Sequence, residues 1–455
     1  MSDNIPELPL TNEQLINDYR LGYRSRQASI IGRREVLTGK AKFGIFGDGK
    51  ELIQLTIAHH FRKGDWRSGY YRDQTWMMAL DLLSLEQFFA QLYAHADPNF
   101  DPHSGGRNMN GHFASPLIDE KGQLLSQVDR YNSSADAAPT ASQMPRSVGL
   151  AYASVLYRQN EDLKQFDKFS SNGNEIAWVS IGNASTAEGP FWEAVNAIGV
   201  LKAPAIISIY DDGYGISVPN EFQMVKENIS AILEGFRRLH CPADQCDRGY
   251  DLYSVEAWDF VGLWNAYSQA EKTAREHHIP ALIHVCDVTQ PLGHSTSGSH
   301  ERYKSKERLE WEVEYDSLKK FKEYLVEHGV ATNEQFDQWE SEDKKTVEQA
   351  RKNAWEAFQN PIKATRLEAS QQIKQLAQSN GGHTEDLIEI ESKLMSIPDP
   401  LNKDIAEAVH KVLISTADIK NEHYLSLYNW NKEFEQRKLE YYNKFLLSDS
   451  EHSPL

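Results

Sequence analysis

Cysteine is nearly absent: three residues in 455, at positions 241, 246 and 286. That is too few for a disulfide framework, and Cys241 and Cys246 have no second pair to complete a zinc site. Three reduced thiols in a cytoplasmic protein are expected. Long apolar runs are also missing. The most apolar stretches, Ala203–Tyr210 and Ala281–Val288, are strand-length, whereas a membrane helix needs ~20 residues. Met1 to Leu10 has neither a basic stretch nor an apolar run, so no secretory leader is expected. Positive charge is scarce, with 48 Lys+Arg against 66 Asp+Glu and a net charge of −18. A basic footprint for nucleic acid or an anionic membrane is therefore excluded at the level of the whole chain. A locally positive pocket for an anionic cofactor is not excluded. What is present, 40% hydrophobic and 25% charged residues, is the composition of a globular protein with a sizeable core.

The pattern divides the chain in three. Residues 1–60 begin with a helix over 11–38 and continue into a second over 50–63. Residues 61–306 carry a helix over 84–94, a Gly/Asn-rich loop at His103–Gly111 and a helix over 141–158. A strand at Glu175–Ile181, a helix at Phe191–Leu201 and a strand at Pro204–Tyr210 then follow, and Val261–His277 with Ala281–Val288 repeats the unit. Strand, helix and strand of these lengths predict a parallel sheet covered on both faces. Residues 307–455 turn charged, glutamine-rich and helical, with amphipathic helices at Arg366–Ala377, Asp386–Met395, Asp404–Ile414 and Tyr424–Phe445. The fold class expected is α/β with a C-terminal helical extension.

Two glycine-bearing segments suggest phosphate chemistry. Gly44, four residues, Gly49 and Lys50 match most of a phosphate-binding P-loop, but Glu51 stands where Ser or Thr must hold Mg²⁺. No apolar strand precedes the segment, and it is set aside. The second is Gly182-Asn183-Ala184, followed 26 residues later by Asp211-Asp212-Gly213-Tyr214. Both clusters sit where an expected strand ends, which is where open parallel sheets bind ligands. Mg²⁺ takes about six hard oxygens. Asn183 offers an amide oxygen, Asp212 a carboxylate and Tyr214 a backbone carbonyl, leaving room for two diphosphate oxygens and a water. Gly182, Ala184 and Ser185 are small enough to let backbone N–H groups approach phosphates.

With these clusters in view the chain resembles the thiamine diphosphate-dependent 2-oxo acid dehydrogenases, alpha subunit, of the branched-chain type. The resemblance spans roughly residues 11–330 and is carried by six segments in the family's order. They are Gly69–Asp73, Gly105–Met109 with Gly111–Phe113, Ala138–Pro145, Gly182–Gly189, Asp211–Ser217 and Gly293–Ser297. It implies a thiamine diphosphate-binding fold and oxidative decarboxylation of a 2-oxo acid, with acyl transfer to a lipoyl domain of an acyltransferase. It also implies a partner, a beta-type subunit or fused beta domain carrying the catalytic Glu, in an α₂β₂ heterotetramer.

The resemblance assigns residues too. His294 and His112 are the candidate catalytic groups, since a neutral imidazole moves protons near neutral pH. Tyr71, Arg72, Thr140, Gly182, Ala184, Ser185, Tyr210 and Asp212 are the expected cofactor contacts. Arg suits phosphate through its fork of donors. Asn183, Asp212 and Tyr214 are the expected Mg²⁺ ligands. Ala137, Pro139, Ser142 and Gln143 match the family's K⁺ loop. Three positions depart from the family's pattern. Asn183 and Asp212 exchange the usual carboxylate and amide, which leaves one of each. Tyr210 stands where branched-chain enzymes carry a phosphate-binding Arg. Ile45 stands where pyruvate enzymes carry a His, which argues against pyruvate. Two other readings stay open at this level: a transketolase-like or non-oxidative thiamine enzyme, and a non-catalytic scaffold on a degenerate cofactor fold.

Overall fold

Apolar runs that are continuous rather than alternating form the centre of a six-stranded sheet, as burial on both faces requires. The computed structural model describes residues 8–119, 121–239, 248–379 and 384–444; Cys241 and Cys246 lie outside them. The strands are β1 (Trp66–Ser68), β2 (Asn132–Ser133), β3 (Ala177–Gly182), β4 (Ala205–Tyr210), β5 (Tyr214–Gly215), β6 (Val218–Pro219), β7 (Asp251–Glu256) and β8 (Ala281–Cys286). The sheet order is β2-β1-β3-β4-β8-β7, and every pairing in it is parallel. β5 and β6 form a separate antiparallel hairpin.

Successive residues of β4 feed opposite layers. Ile206 and Tyr210 pack with Leu52, Ile53, Leu263 and Tyr267 from the helices Glu51–His60 and Phe260–His277. Ile207 and Ile209 pack with Met144, Ala151, Phe191 and Val195 from the helices Gln143–Gln159 and Gly189–Leu201. All four β4 isoleucines and aromatics named here are at most 2% exposed. At about 25 cal/mol per Å² of apolar surface, these two layers are the main source of stability.

One helix after residue 306 is longer than the sequence suggests. Asn333–Gln378 is one helix of 46 residues, started by a capping box between Thr332 and Gln335 and running through Pro361. It packs along the N-terminal helix Asn12–Leu37. There Arg20 donates to both carboxylate oxygens of Asp343 at 2.9 Å, and the Tyr19 hydroxyl donates to Glu340 at 2.7 Å. Val347 and Ala354 join Ala28, Ile31, Phe88 and Phe89 in one cluster. The packing unit thus crosses the boundaries expected at 60 and 306. Thr384–Met395, Asn402–Ser415 and Glu422–Asn443 close a core of their own around Ile373, Leu387, Val409, Leu427 and Phe434. Val412 and Leu427 are fully buried in that core. Among the described residues no helix is long and apolar enough to cross a membrane.

Candidate active site

The site is built where β3 and β4 end side by side. Gly182 and Tyr210 are register partners, so the loops that follow them leave the sheet as neighbours. After β3 the chain makes a 3-10 turn over Asn183–Ala187, and after β4 it turns through Asp211–Gly213 into the β5–β6 hairpin. A Cβ on Gly215 would press on Ala184, so a glycine is what lets the hairpin lie against the first loop. A third loop brings Tyr70, Tyr71 and Arg72. It is anchored by the fully buried Asp73, which accepts from Arg67 on β1 at 2.9 Å and from Ser180 on β3 at 2.6 Å. Arg67 also reaches Asp136 at 3.0 Å. Removing one member of such a buried ion pair costs about 3–5 kcal/mol.

These loops enclose a cleft of about 290 Å³. Tyr71, Arg72, Thr140, Gly182, Asn183, Ala184, Ser185, Tyr210, Asp212, Tyr214 and His294 all line it. Six further lining residues were given no site role from the sequence: Tyr70, Glu188, Gly215, Ile216, Gln223 and Lys50. Tyr70 and Glu188 lie inside segments that carried the resemblance. Lys50 comes from the segment set aside as a failed P-loop. Its glycines have packing roles: a Cβ on Gly47 would strike the Arg72 carbonyl, and one on Gly49 the Thr289 carbonyl.

The two adjacent aspartates have separate duties. Asp211 is bound inward, accepting from Asn220 at 3.1 Å and facing His284 Nε2 at 3.0 Å. Burial opposes charge on His284, but its bonds to Asp211 and Cys286 push its pKa up to about 9. Asp212 lines the cleft, with one carboxylate oxygen accepting from the Tyr214 amide at 3.1 Å. Asn183 is held by the same network: its Nδ2 donates to Asn220 Oδ1 at 2.7 Å, which leaves its Oδ1 as the atom to offer a ligand.

Positive charge comes from Arg72 and Lys50. Arg72 is 5% exposed and donates to the Phe46 carbonyl at 2.6 Å, to His294 Nδ1 at 3.0 Å and to the His294 carbonyl at 3.1 Å. An imidazole whose Nδ1 accepts carries its proton on Nε2. Burial, then Arg72 and Lys50, lower the His294 pKa to about 3, so the ring is neutral at physiological pH. The Tyr210 hydroxyl is buried without a hydrogen-bond partner.

The remaining expected residues lie outside the cleft lining. His112 is 4% exposed, its carbonyl accepts from Gln91 at 2.7 Å, and its Nδ1 has no partner. Ala137, Pro139 and Ser142 do curl together. Ser142 Oγ donates to the Ala137 carbonyl at 3.3 Å, and its amide donates to the Pro139 carbonyl at 3.1 Å. Gln143 Nε2 donates to the Ser180 carbonyl at 3.0 Å on β3. Among the described residues no cluster of three or more His, Cys, Asp or Glu is placed to hold a metal by itself.

The donor set suits a diphosphate with a divalent ion better than a bare ion. It combines two cations, small-residue loops and an unpartnered hydroxyl with the amides of Asn183 and Gln223 and the carboxylates of Asp212 and the exposed Glu188. Comparison with known proteins places the chain in a family. The family described as dehydrogenase E1 component matches residues 25–363. The 2-oxoisovalerate dehydrogenase subunit alpha of Bacillus subtilis (strain 168) is 27% identical over 330 residues, covering 72% of this chain and 86% of that protein. The mitochondrial subunit alpha of Caenorhabditis elegans is 26% identical over 311 residues, 68% of this chain and 62% of its own length. That of Mus musculus is 25% identical over 347 residues, 76% and 68% respectively.

Proposed function

This chain belongs to the dehydrogenase E1 component family, and from that premise we propose that it is the alpha-type component of a branched-chain 2-oxo acid dehydrogenase. In this reading it takes part in oxidative decarboxylation of a 2-oxo acid with acyl transfer to a lipoyl group. The observation that carries the reading is the single cleft at the ends of β3 and β4, which gathers Asn183, Asp212, Arg72 and His294. The relatives named above are 2-oxoisovalerate dehydrogenase subunits, which disfavours the transketolase-like and scaffold readings.

Thiamine diphosphate bound here supplies the acidic carbon that adds to the keto group and the cationic ring that takes up electrons as carbon dioxide leaves. Tyr71, Arg72, Thr140 and Tyr210, with the backbone of Gly182, Ala184 and Ser185, hold the diphosphate. Asn183, Asp212 and the Tyr214 carbonyl hold Mg²⁺. Ala137, Pro139, Ser142 and Gln143 form a K⁺ loop that stiffens the wall carrying Thr140. A beta-type subunit closes the cleft beside Ile216, an exposed apolar residue that lines it. A lipoyl domain then approaches the assembled site. The reading includes a cytoplasmic location, supported by the scarcity of cysteine.

His294 acts as a neutral donor. Arg72 fixes its ring through Nδ1, so Nε2–H is the atom available to a substrate carboxylate or keto oxygen. A half-buried ring beside Arg72 and Lys50 suits that role, because both cations disfavour a second proton on it. In enzyme reconstituted with a beta-type subunit, His294→Ala is expected to lower kcat at least tenfold and leave thiamine diphosphate affinity within a few-fold. Steady-state kinetics with 2-oxoisovalerate, alongside cofactor titration, reads both. Equal losses of affinity and rate would move His294 to cofactor binding, and an unchanged kcat would remove its role.

A further inference from the structure

We propose that Lys50 is a cationic anchor for the diphosphate, acting with Arg72 in the same cleft. The inference rests on the cofactor assignment above and extends it to a residue that assignment does not include. The first observation is placement. Lys50 is 2% exposed, yet it lines the same cleft as Arg72, Asn183 and Asp212. The second is its partners, which are all neutral. Nζ donates to the Asp48 carbonyl at 3.4 Å, to the Thr289 carbonyl at 3.3 Å and to Gln290 Oε1. Two of those three bonds are long and give way readily to a charged acceptor. The third is its position as N-cap of the helix Glu51–His60. A cation there faces the positive end of the helix dipole. Glu51, the carboxylate next to it, is engaged with Arg26 at 2.7 Å.

A buried ammonium beside a guanidinium, at a helix N-terminus and with carbonyl partners, is unfavourable in isolation. All three penalties are relieved by one change, the arrival of an anion in the cleft. Burial first, then Arg72, lower the Lys50 pKa to about 8, and Lys304 acts in the same direction. Asp212 and Asp48 oppose them. An anion within reach would restore the ammonium.

The test is calorimetric titration of the 455-residue chain with thiamine diphosphate and, separately, with inorganic pyrophosphate, both with Mg²⁺. Lys50→Met, similar in volume and uncharged, is expected to bind each at least tenfold more weakly, with a circular dichroism spectrum like wild type. Wild-type affinity in a folded Lys50→Met would overturn the role of Lys50 and leave the cofactor assignment standing. Failure of the wild-type chain to bind either probe would overturn the cofactor assignment itself. Should Lys50→Met not fold, Lys50→Gln and Lys50→Arg decide: the neutral variant should bind both probes at least tenfold more weakly than the charged one, and equal affinity of the two would overturn the proposal.

Discussion

Thiamine diphosphate is expected to bind at least tenfold more weakly, about 1.4 kcal/mol, when Asp212 is replaced by alanine. Asp212 and Glu188 are the carboxylates that line the cleft among the described residues, and Glu188 is exposed at its rim. Without Asp212, a divalent ion would keep the neutral oxygens of Asn183 and Tyr214 and would lose its charged protein ligand. The cleft would also lose the charge that balances Arg72 and Lys50, so part of the deficit would be offset by stronger attraction for the diphosphate itself. For that reason the loss should appear mainly as lost Mg²⁺ dependence. Asp211→Asn is the matched comparison, because Asp211 is committed to His284 and Asn220 and does not line the cleft. Isothermal titration of both variants reads the difference. An Asp212→Ala protein with wild-type affinity would sink the assignment of the metal site.

The second large effect concerns the chain on its own. The isolated, monodisperse 455-residue protein is expected to release no carbon dioxide from any 2-oxo acid, and to do so once a beta-type subunit is added. In the two-subunit enzymes that this chain resembles, the carboxylate that activates the aminopyrimidine lies on the beta-type part. The described residues contain one six-stranded sheet and a two-stranded hairpin, with no second large sheet to build that part. After the last strand, β8, the chain forms helices that bury their apolar faces against the N-terminal helix and one another. Radiometric or coupled detection of carbon dioxide from 2-oxoisovalerate measures this directly. Turnover by the isolated chain would refute the half-enzyme account.

Sequence and structure agree best where burial is two-sided. β3, β4 and β8 are continuous apolar runs, and each lies within a residue or two of its expected place. β1 and β2 were missed for a physical reason: they are three and two residues long, and β1 buries an arginine at its centre. β7 was missed because it lies at the sheet edge, half exposed along most of its length. The 46-residue helix was read only from Arg366 onward; it runs through Pro361, a residue that ordinarily breaks a helix interior. In the site, Asn183, Asp212 and Tyr214 were legible as loops at strand ends. Tyr71 and Arg72 came from the resemblance alone. Lys50 was marked only within the P-loop match that was set aside, because the residues it shares the cleft with, Arg72, Asn183 and Asp212, come from three other segments of the chain. His112 sits in a family-like segment, yet its ring is buried outside the cleft lining.

The central claim is that one cleft holds a diphosphate and a divalent ion together. The most direct measurement is titration of the wild-type chain with thiamine diphosphate in the presence and absence of Mg²⁺, with Mg²⁺ alone as the third arm. The account predicts saturable one-to-one binding at least tenfold tighter with Mg²⁺, and no binding of Mg²⁺ alone, since among the described residues no group of three or more His, Cys, Asp or Glu is placed to hold a metal ion. Identical thiamine diphosphate isotherms with and without Mg²⁺, or tight binding of Mg²⁺ by itself, would contradict it.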